Sequence, residues 1–225
     1  MCTNYRPTAR DHLREHFGVA APDVDFPEES YPGYLAPVIR RTAPHGRECL
    51  AASFGLIPHW AKDPRIARNT YNARSETVAE KPSFRGPWRQ AQFCLVPMES
   101  FYEPCYESGK AIRWRIGAAD GRPFAVAGLW ERWVAMETGE VVHSFTMLTV
   151  HADGHPVMGR MHRPGDEKRS LVLIDPADFE QWLGATPAQA RALVRLPPAD
   201  AWVAEASPRP LRSAKSRHPD TKIYF

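Results

Sequence analysis

Cys94-Leu95-Val96-Pro97-Met98-Glu99-Ser100-Phe101-Tyr102-Glu103-Pro104 reads as two strand-like stretches, 92–97 and 100–106, flanking a proline. Carboxylates stand at 99 and 103. In an alternating strand Phe101 and Glu103 share one face and Tyr102 takes the other. A carboxylate on an apolar strand face is rarely buried without a partner, which makes Glu103 a candidate general acid/base. The bland alternative is an edge-strand glutamate facing water.

Working outward, strand-like runs recur at 112–116, 124–129, 143–150 and 171–174. Two more, 34–40 and 48–57, stand either side of a short Pro/His/Gly turn and predict a hairpin. Helices are predicted at 8–17, with Leu13 and Phe17 on one face, and at 74–80, 84–90, 155–161, 178–183 and 187–196. Thr186 before Pro187 fits an N-cap followed by proline at the first helical position. Many strands with short helices between them predict a single α+β domain over 1–206, built round a mainly antiparallel sheet. Residues 207–225 hold Arg209, Arg212, Lys215, Arg217 and Lys222 against one acid, Asp220. They read as a mobile basic tail, with nucleic-acid contact and a plain solvated terminus equally open.

Composition narrows the function classes. Of 225 residues, 43% are hydrophobic and 24% charged, as in ordinary globular proteins. No apolar run approaches the ~20 residues that span a bilayer, and no signal peptide is evident, so a cytoplasmic location is expected, nucleoid-associated in a bacterium. The four cysteines (Cys2, Cys49, Cys94, Cys105) form no CxxC pair, which argues against a zinc knuckle. His12/His16 and His151/His155 are each four apart but lack further ligands, so neither a metal nor any other cofactor is expected. The net charge of +3 permits nucleic-acid binding without demanding it.

The N-terminus carries a distinct possibility. A small residue after Met1 favours removal of the initiator, leaving Cys2 with an α-amine (pKa about 7.7–8.0) beside its thiol (about 8.5). That pair can trap an aldehyde as a thiazolidine. Taken alone, position 2 is more often a frayed end. Two other constellations are weak singly. Asn72-Ala73-Arg74-Ser75-Glu76-Thr77 offers an amide and a guanidinium suited to phosphate, or simply a capped short helix. His162, before a charged turn, is a candidate acid/base or a surface histidine. Trp60, Arg74, Arg85, Trp88, Arg89 and Arg163 place cations near aromatics, the composition that single-stranded nucleic acid needs.

These motifs together resemble the SOS-response-associated peptidase (SRAP) family. The matching landmarks, in family order over roughly 1–185, are Met1-Cys2, Gly55-Leu56-Ile57-Pro58 with Trp60-Ala61-Lys62-Asp63, and Asn72 to Thr77. They continue with Lys81-Pro82-Ser83-Phe84-Arg85, Cys94-Leu95-Val96-Pro97, Phe101-Tyr102-Glu103, Ala127-Gly128-Leu129-Trp130-Glu131 and His162. The resemblance implies the SRAP fold, with a barrel-like antiparallel sheet, and covalent capture of abasic sites in single-stranded DNA; a monomer is expected. It implies that Cys2 is the nucleophile and that Asn72 positions the sugar or the N-terminus. It further implies that Glu103 moves protons at the amine and that His162 assists ring opening and reversal. Arg74, Arg85 and Arg163 would contact DNA, with Trp60 bordering the channel. The chain departs from the common pattern at Thr3-Asn4, where many members read Gly-Arg, at Pro104, and at Arg163-Pro164. Two other readings stay open: an N-terminal-nucleophile cysteine (auto)peptidase, and a single-stranded DNA-binding module without chemistry.

Overall fold

The computed structural model describes residues 2–42 and 46–209. In chain order the strands are β1 Tyr5–Pro7, β2 Leu35–Thr42, β3 Gly46–Phe54, β4 Asn72–Arg74, β5 Phe93–Cys105, β6 Ile112–Ala118, β7 Phe124–Val134, β8 Val141–His151, β9 Arg169–Leu171, β10 Leu173–Ile174 and β11 Trp202–Ala206. The α-helices are α1 Arg10–Phe17, α2 Pro82–Arg89, α3 Phe179–Leu183 and α4 Pro187–Leu193. The expected α+β domain is present. Within the larger sheet β5, β7, β8, β3 and β2 close on themselves, because β5 pairs with both β2 and β7. All pairs in this ring are antiparallel except β3 with β8.

Alternation along the ring strands separates two cores. Ala36 and Val38, Ala52 and Phe54, Cys94 and Val96, Val126, and Phe145 and Met147 form one cluster, fed by all five strands. Their neighbours, among them Ile39, Leu95, Ala127, Leu129 and Leu148, join a second cluster with Leu13, Phe17, Phe84, Trp88 and Trp182 from the helices. Helices cannot fit inside a ring of five strands, so the first cluster is the barrel interior and the second the layer between barrel and helices. The interior is tight. A Cβ on Gly128 would meet Cys94 Sγ at 2.8 Å, Thr146 O at 2.9 Å and Val96 Cγ2 at 3.0 Å. The landmark Ala127-Gly128-Leu129 is therefore a packing requirement.

The stretch around Pro97 is one continuous strand of 13 residues. Its first half closes the barrel, and its second half pairs with β6 at 101–105. The two halves differ in phase. Opposite β1 the register runs from Ser100 to Met98, so Glu99 is a bulged residue. Cys94, Val96 and Met98 face the interior before it, and Phe101 and Cys105 after it. One inserted residue reverses the alternation, and this turns Glu103 toward the interior side. Glu99 itself points outward and accepts from Ala9 N at 3.2 Å, with His12 Nδ1 at 2.9 Å.

Some expected elements differ. Residues 74–80 are not a helix: Asn72–Arg74 is a strand parallel to β8, followed by turns. Asn72 pairs beside Met147, and the edge of β8 offers more hydrogen bonds than an isolated seven-residue helix can make. Residues 155–161 contain only a 3-10 turn at Met158–Arg160. His155 instead accepts from Val157 N and Met158 N at 3.1 and 3.0 Å, and its Nε2 lies 3.1 Å from Pro197 O. Trp88 belongs to the helix-side core, edge-on to Phe93, and is no stacking platform. The expected turn of the first hairpin, at 43–45, and residues 210–225 of the expected tail lie outside the described residues.

Candidate functional site

The site forms where the N-terminal segment lies along the second half of β5. β1 pairs with β5, and Tyr102 N donates to Asn4 O at 2.9 Å. This carries Cys2 into the interior cluster, where it is 1% exposed. Its thiol reaches Asn4 O at 3.5 Å. Cys2 is therefore ordered and buried, the opposite of a frayed end. Burial first, and the nearby Glu103 charge second, push the Cys2 thiol pKa far above its usual value, so the thiol holds its proton at neutral pH.

Glu103 and His162 form a buried pair, at 4% and 9% exposure, with Oε2 and Nε2 2.8 Å apart. The sequence places them 59 residues apart, and three devices join them. Met161 bridges to Cys105 on β5. His162 N donates to Pro104 O at 2.7 Å. Lys168 Nζ gathers the carbonyls of Met161, His162 and Arg163 at 2.8, 3.2 and 2.8 Å. The backbone of His162 has φ +65°, a left-handed conformation uncommon for a residue with a side chain. Such strain collects at functional sites, where surrounding bonds hold it in place.

Asn72 reaches the same side from β4. Its register partner Met147 faces the barrel interior, and parallel partners point the same way. Asn72 Nδ2 donates to Tyr71 O at 2.9 Å, whereas its buried Oδ1 has no hydrogen-bond partner among the described residues. An unmet buried acceptor costs about 1–3 kcal/mol, which is tolerable where a ligand donates to it. Tyr71, which sequence reading passed over, also belongs here. It packs edge-on to Phe54 at 6.0 Å. Burial, then the charges of Glu103 and Cys2, raise its phenol pKa. Its position directly before Asn72 was the available signal.

The remaining predicted residues fall in two places. Arg163 is exposed beside His162, with Nε 3.2 Å from the Tyr106 hydroxyl. Arg74 pairs with Glu167 at 2.6 Å. Trp60 is half exposed next to Ala61, whose carbonyl accepts from Trp133 Nε1 at 2.7 Å. Trp133 pairs with Val142, seven residues along β8 from Thr149, the partner of Arg74. At about 3.3 Å per residue the Trp133 end of this strand lies roughly 23 Å along β8 from the Arg74 end. Arg85 is exposed on α2, next to Gly86, which lies against His59. Cys2, Asn72, Glu103 and His162 thus share one side of the barrel, with Arg74 and Arg163 at its rim and Trp60 and Arg85 farther along.

A cleft of about 280 Å³ opens between residues 3–4 and Glu103, with Tyr31, Tyr102, Arg113 and Arg209 among its walls. A larger groove of about 370 Å³, near Phe124, Ile174 and Pro197, holds none of the site residues. Among the described residues no group of three His, Cys, Asp or Glu side chains is placed to hold a metal ion, and no helix is long and apolar enough to cross a membrane.

The thiols carry a pH prediction. Burial raises Cys2 and Cys94, and raises Cys49 to about 12. In the unfolded chain thiols ionise near ~8.5, so above that pH the unfolded state has lost protons that the folded state keeps. Stability is therefore full below pH ~8.5 and falls as pH rises, by up to ~1.4 kcal/mol per pH unit per thiol. Thermal melts from pH 7.5 to 10 should show a falling Tm, with a shallower fall in Cys94→Ala. An identical slope in that variant would contradict the assignment.

The chain is similar to known proteins in sequence and fold. The SOS response associated peptidase (SRAP) family pattern matches residues 1–208. Abasic site processing protein YobE of Bacillus subtilis (strain 168) is 42% identical over 131 residues, covering 58% of this chain and 56% of that protein. Abasic site processing protein HMCES of Pongo abelii is 32% identical over 126 residues, covering 43% and 36%. The matched part is thus about half or less of these relatives' length. A solved structure of a Bordetella bronchiseptica protein superposes with a TM-score of 0.84 at 34% identity, covering 92% of this chain and 99% of that one. One from Bacteroides thetaiotaomicron shares the fold with a TM-score of 0.77 at 23% identity. The chain belongs to the SRAP family.

Proposed function

We propose that this protein processes abasic sites in single-stranded DNA by capturing them covalently through Cys2, once Met1 has been removed. The observation that carries the reading is the burial of the Cys2 thiol beside the Glu103–His162 pair. The relatives named as abasic site processing proteins support the substrate class.

The chemistry follows from the groups present. An abasic sugar exists mainly as a closed hemiacetal. A proton delivered to the ring oxygen, while the C1′ hydroxyl gives up its own, opens it to the aldehyde, which suits His162 backed by Glu103. The Cys2 amine, in its neutral form, attacks C1′ to give a carbinolamine. Loss of one water yields the imine. The thiol then adds across the imine carbon, its proton passing to the nitrogen, and the five-membered thiazolidine closes. The net change is one water released, with no oxidant or reductant. Because the thiol stays protonated, amine attack precedes ring closure, and Glu103 is the acceptor for the amine's proton. Closure within one residue gains the proximity advantage of an intramolecular step. Asn72 Oδ1, buried and unmet among the described residues, is available to a sugar hydroxyl or to the amine. Arg74 and Arg163 supply cations at the rim for phosphates.

Rates of adduct formation and release on an abasic oligonucleotide test the roles. Glu103→Gln should slow formation by ~10²-fold, the usual scale of a general acid/base. His162→Ala should slow the release of a preformed adduct. Wild-type rates in both variants would remove this pair from the mechanism.

A further inference from the structure

We propose that Arg113 and Arg209 form a latch that positions the N-terminal segment bearing Cys2, an inference that rests on the capture reading above. Only two residues, Thr3 and Asn4, separate Cys2 from the first strand, so its placement depends on what holds Asn4. The Asn4 carbonyl takes both the Tyr102 amide and the Cys2 thiol. The Asn4 side chain, in a residue 5% exposed, is held on both ends. Its Nδ2 donates to Glu29 Oε2 at 3.3 Å and Ser30 O at 3.4 Å. Its Oδ1 accepts from Arg113 Nη2 at 2.8 Å and Arg209 Nη2 at 3.3 Å.

The two arginines are themselves fixed. Arg113 donates to Glu29 Oε1 at 2.7 Å, and its guanidinium lies 3.3 Å from the centre of the Tyr102 ring. Its carbonyl accepts from Ser207 N at 2.8 Å, which ties β6 to the segment after β11. Arg209 bonds the Tyr31 hydroxyl, which in turn donates to Glu29 at 2.7 Å. Four sequence-distant pieces (4, 29–31, 113 and 207–209) thus converge two residues from the thiol. They do so on the wall of the cleft that opens to Glu103. Within this geometry Ser207 and Arg209 help set where the Cys2 nitrogen stands relative to its proton acceptor. Arg113 and Arg209 act through Asn4 and are positioning residues.

Adduct formation measured in single turnover, at saturating protein over an abasic single-stranded oligonucleotide, tests the latch. It is paired with hydrogen exchange at the Tyr102 amide. In Arg209→Ala and Arg113→Ala the saturating rate should fall about tenfold, the scale of one charge-assisted hydrogen bond, while Kd for the oligonucleotide stays within about twofold. Exchange at Tyr102 should speed up in both. Arg113→Lys should not recover the rate, since an ammonium has no planar face to lie on the Tyr102 ring while its nitrogen reaches Asn4 and Glu29. Should Arg113→Ala fail to fold, Arg209→Ala, half exposed, carries the test. Weaker binding with an unchanged saturating rate would make these arginines phosphate contacts and overturn the latch. Unchanged rate and exchange would do the same. If the wild type forms no adduct, the capture reading fails, and Tyr102 exchange alone decides the latch.

Discussion

Cys2→Ala is expected to abolish the covalent adduct with abasic single-stranded DNA while leaving noncovalent affinity within about twofold, since phosphate contacts carry most of the binding free energy. Alanine keeps the α-amine, so an imine still forms transiently, but nothing closes on it and hydrolysis releases the DNA. Borohydride should therefore trap the imine in Cys2→Ala, and no stable adduct should survive without it. The stability cost is modest, about 1 kcal/mol for one small buried group in a packed interior. Denaturing gels with and without borohydride read both outcomes. A Cys2→Ala protein that crosslinked like wild type without reductant would remove the sulfur from the chemistry. A peptidase would instead turn over amide substrates, and a simple binding module would bind intact and abasic strands alike.

The largest expected stability loss lies in Arg169→Ala. Arg169 is 3% exposed, yet it carries a guanidinium. The charge is tolerable because the fork is filled: Nη2 reaches both oxygens of Glu76 at 2.8 and 3.1 Å and Thr149 O at 2.8 Å. Nη1 reaches Glu167 at 2.6 Å, and Nε reaches the Thr149 hydroxyl at 3.0 Å. Removing one partner of a buried ion pair costs about 3–5 kcal/mol. Glu76 and Glu167 are partly exposed, so water compensates some of this, and about 3 kcal/mol is expected. For a chain of this size that corresponds to a Tm lower by roughly 6–12 °C. The loss should reach the site, because Thr149 also bonds Ala73 O and so steadies the strand that presents Asn72. The acid side has a definite sign. Burial opposes ionisation of Glu76, but the Arg169 hydrogen bonds outweigh it and hold its carboxyl below the usual range. That contribution is present above the unfolded carboxylate pKa of ~4.3 and is lost as pH falls below it. Arg169→Ala should therefore flatten the acid limb of stability. A Tm within 2 °C of wild type, measured by calorimetry, would contradict the ~3 kcal/mol assigned to the cluster.

Much of the fold was legible because alternation and turn residues are local signals. The strands β2, β3, β6, β7 and β8 fall where their apolar patterns predict, and Thr186 makes the predicted cap, with Gln189 completing a capping box. What failed was decided elsewhere in the chain. Asn72–Arg74 carries helix-compatible residues, yet a free edge on β8 claims it as a strand. β1 and β11 were missed because three- and five-residue strands hold too little pattern of their own. The bulge at Glu99 is invisible without the partner strand, although it sets the face of Glu103. At the site, residue types were legible and their meeting was not. Glu103 and His162 meet through a bridge and a lysine staple that no spacing rule announces. Asn4, Glu29 and Arg113 look like surface polar residues until the fold buries the amide between them.

The central claim, that Cys2 with its free amine captures abasic DNA, is tested most directly by intact mass. The purified full-length chain would be weighed before and after mixing with an abasic single-stranded oligonucleotide. The account predicts a starting mass lacking the initiator methionine. It then predicts a shift by the mass of the oligonucleotide less one water, about 18 Da for a condensation through an amine. A chain that lacks Met1 and shows no shift, or one that retains Met1 and shifts all the same, would contradict it.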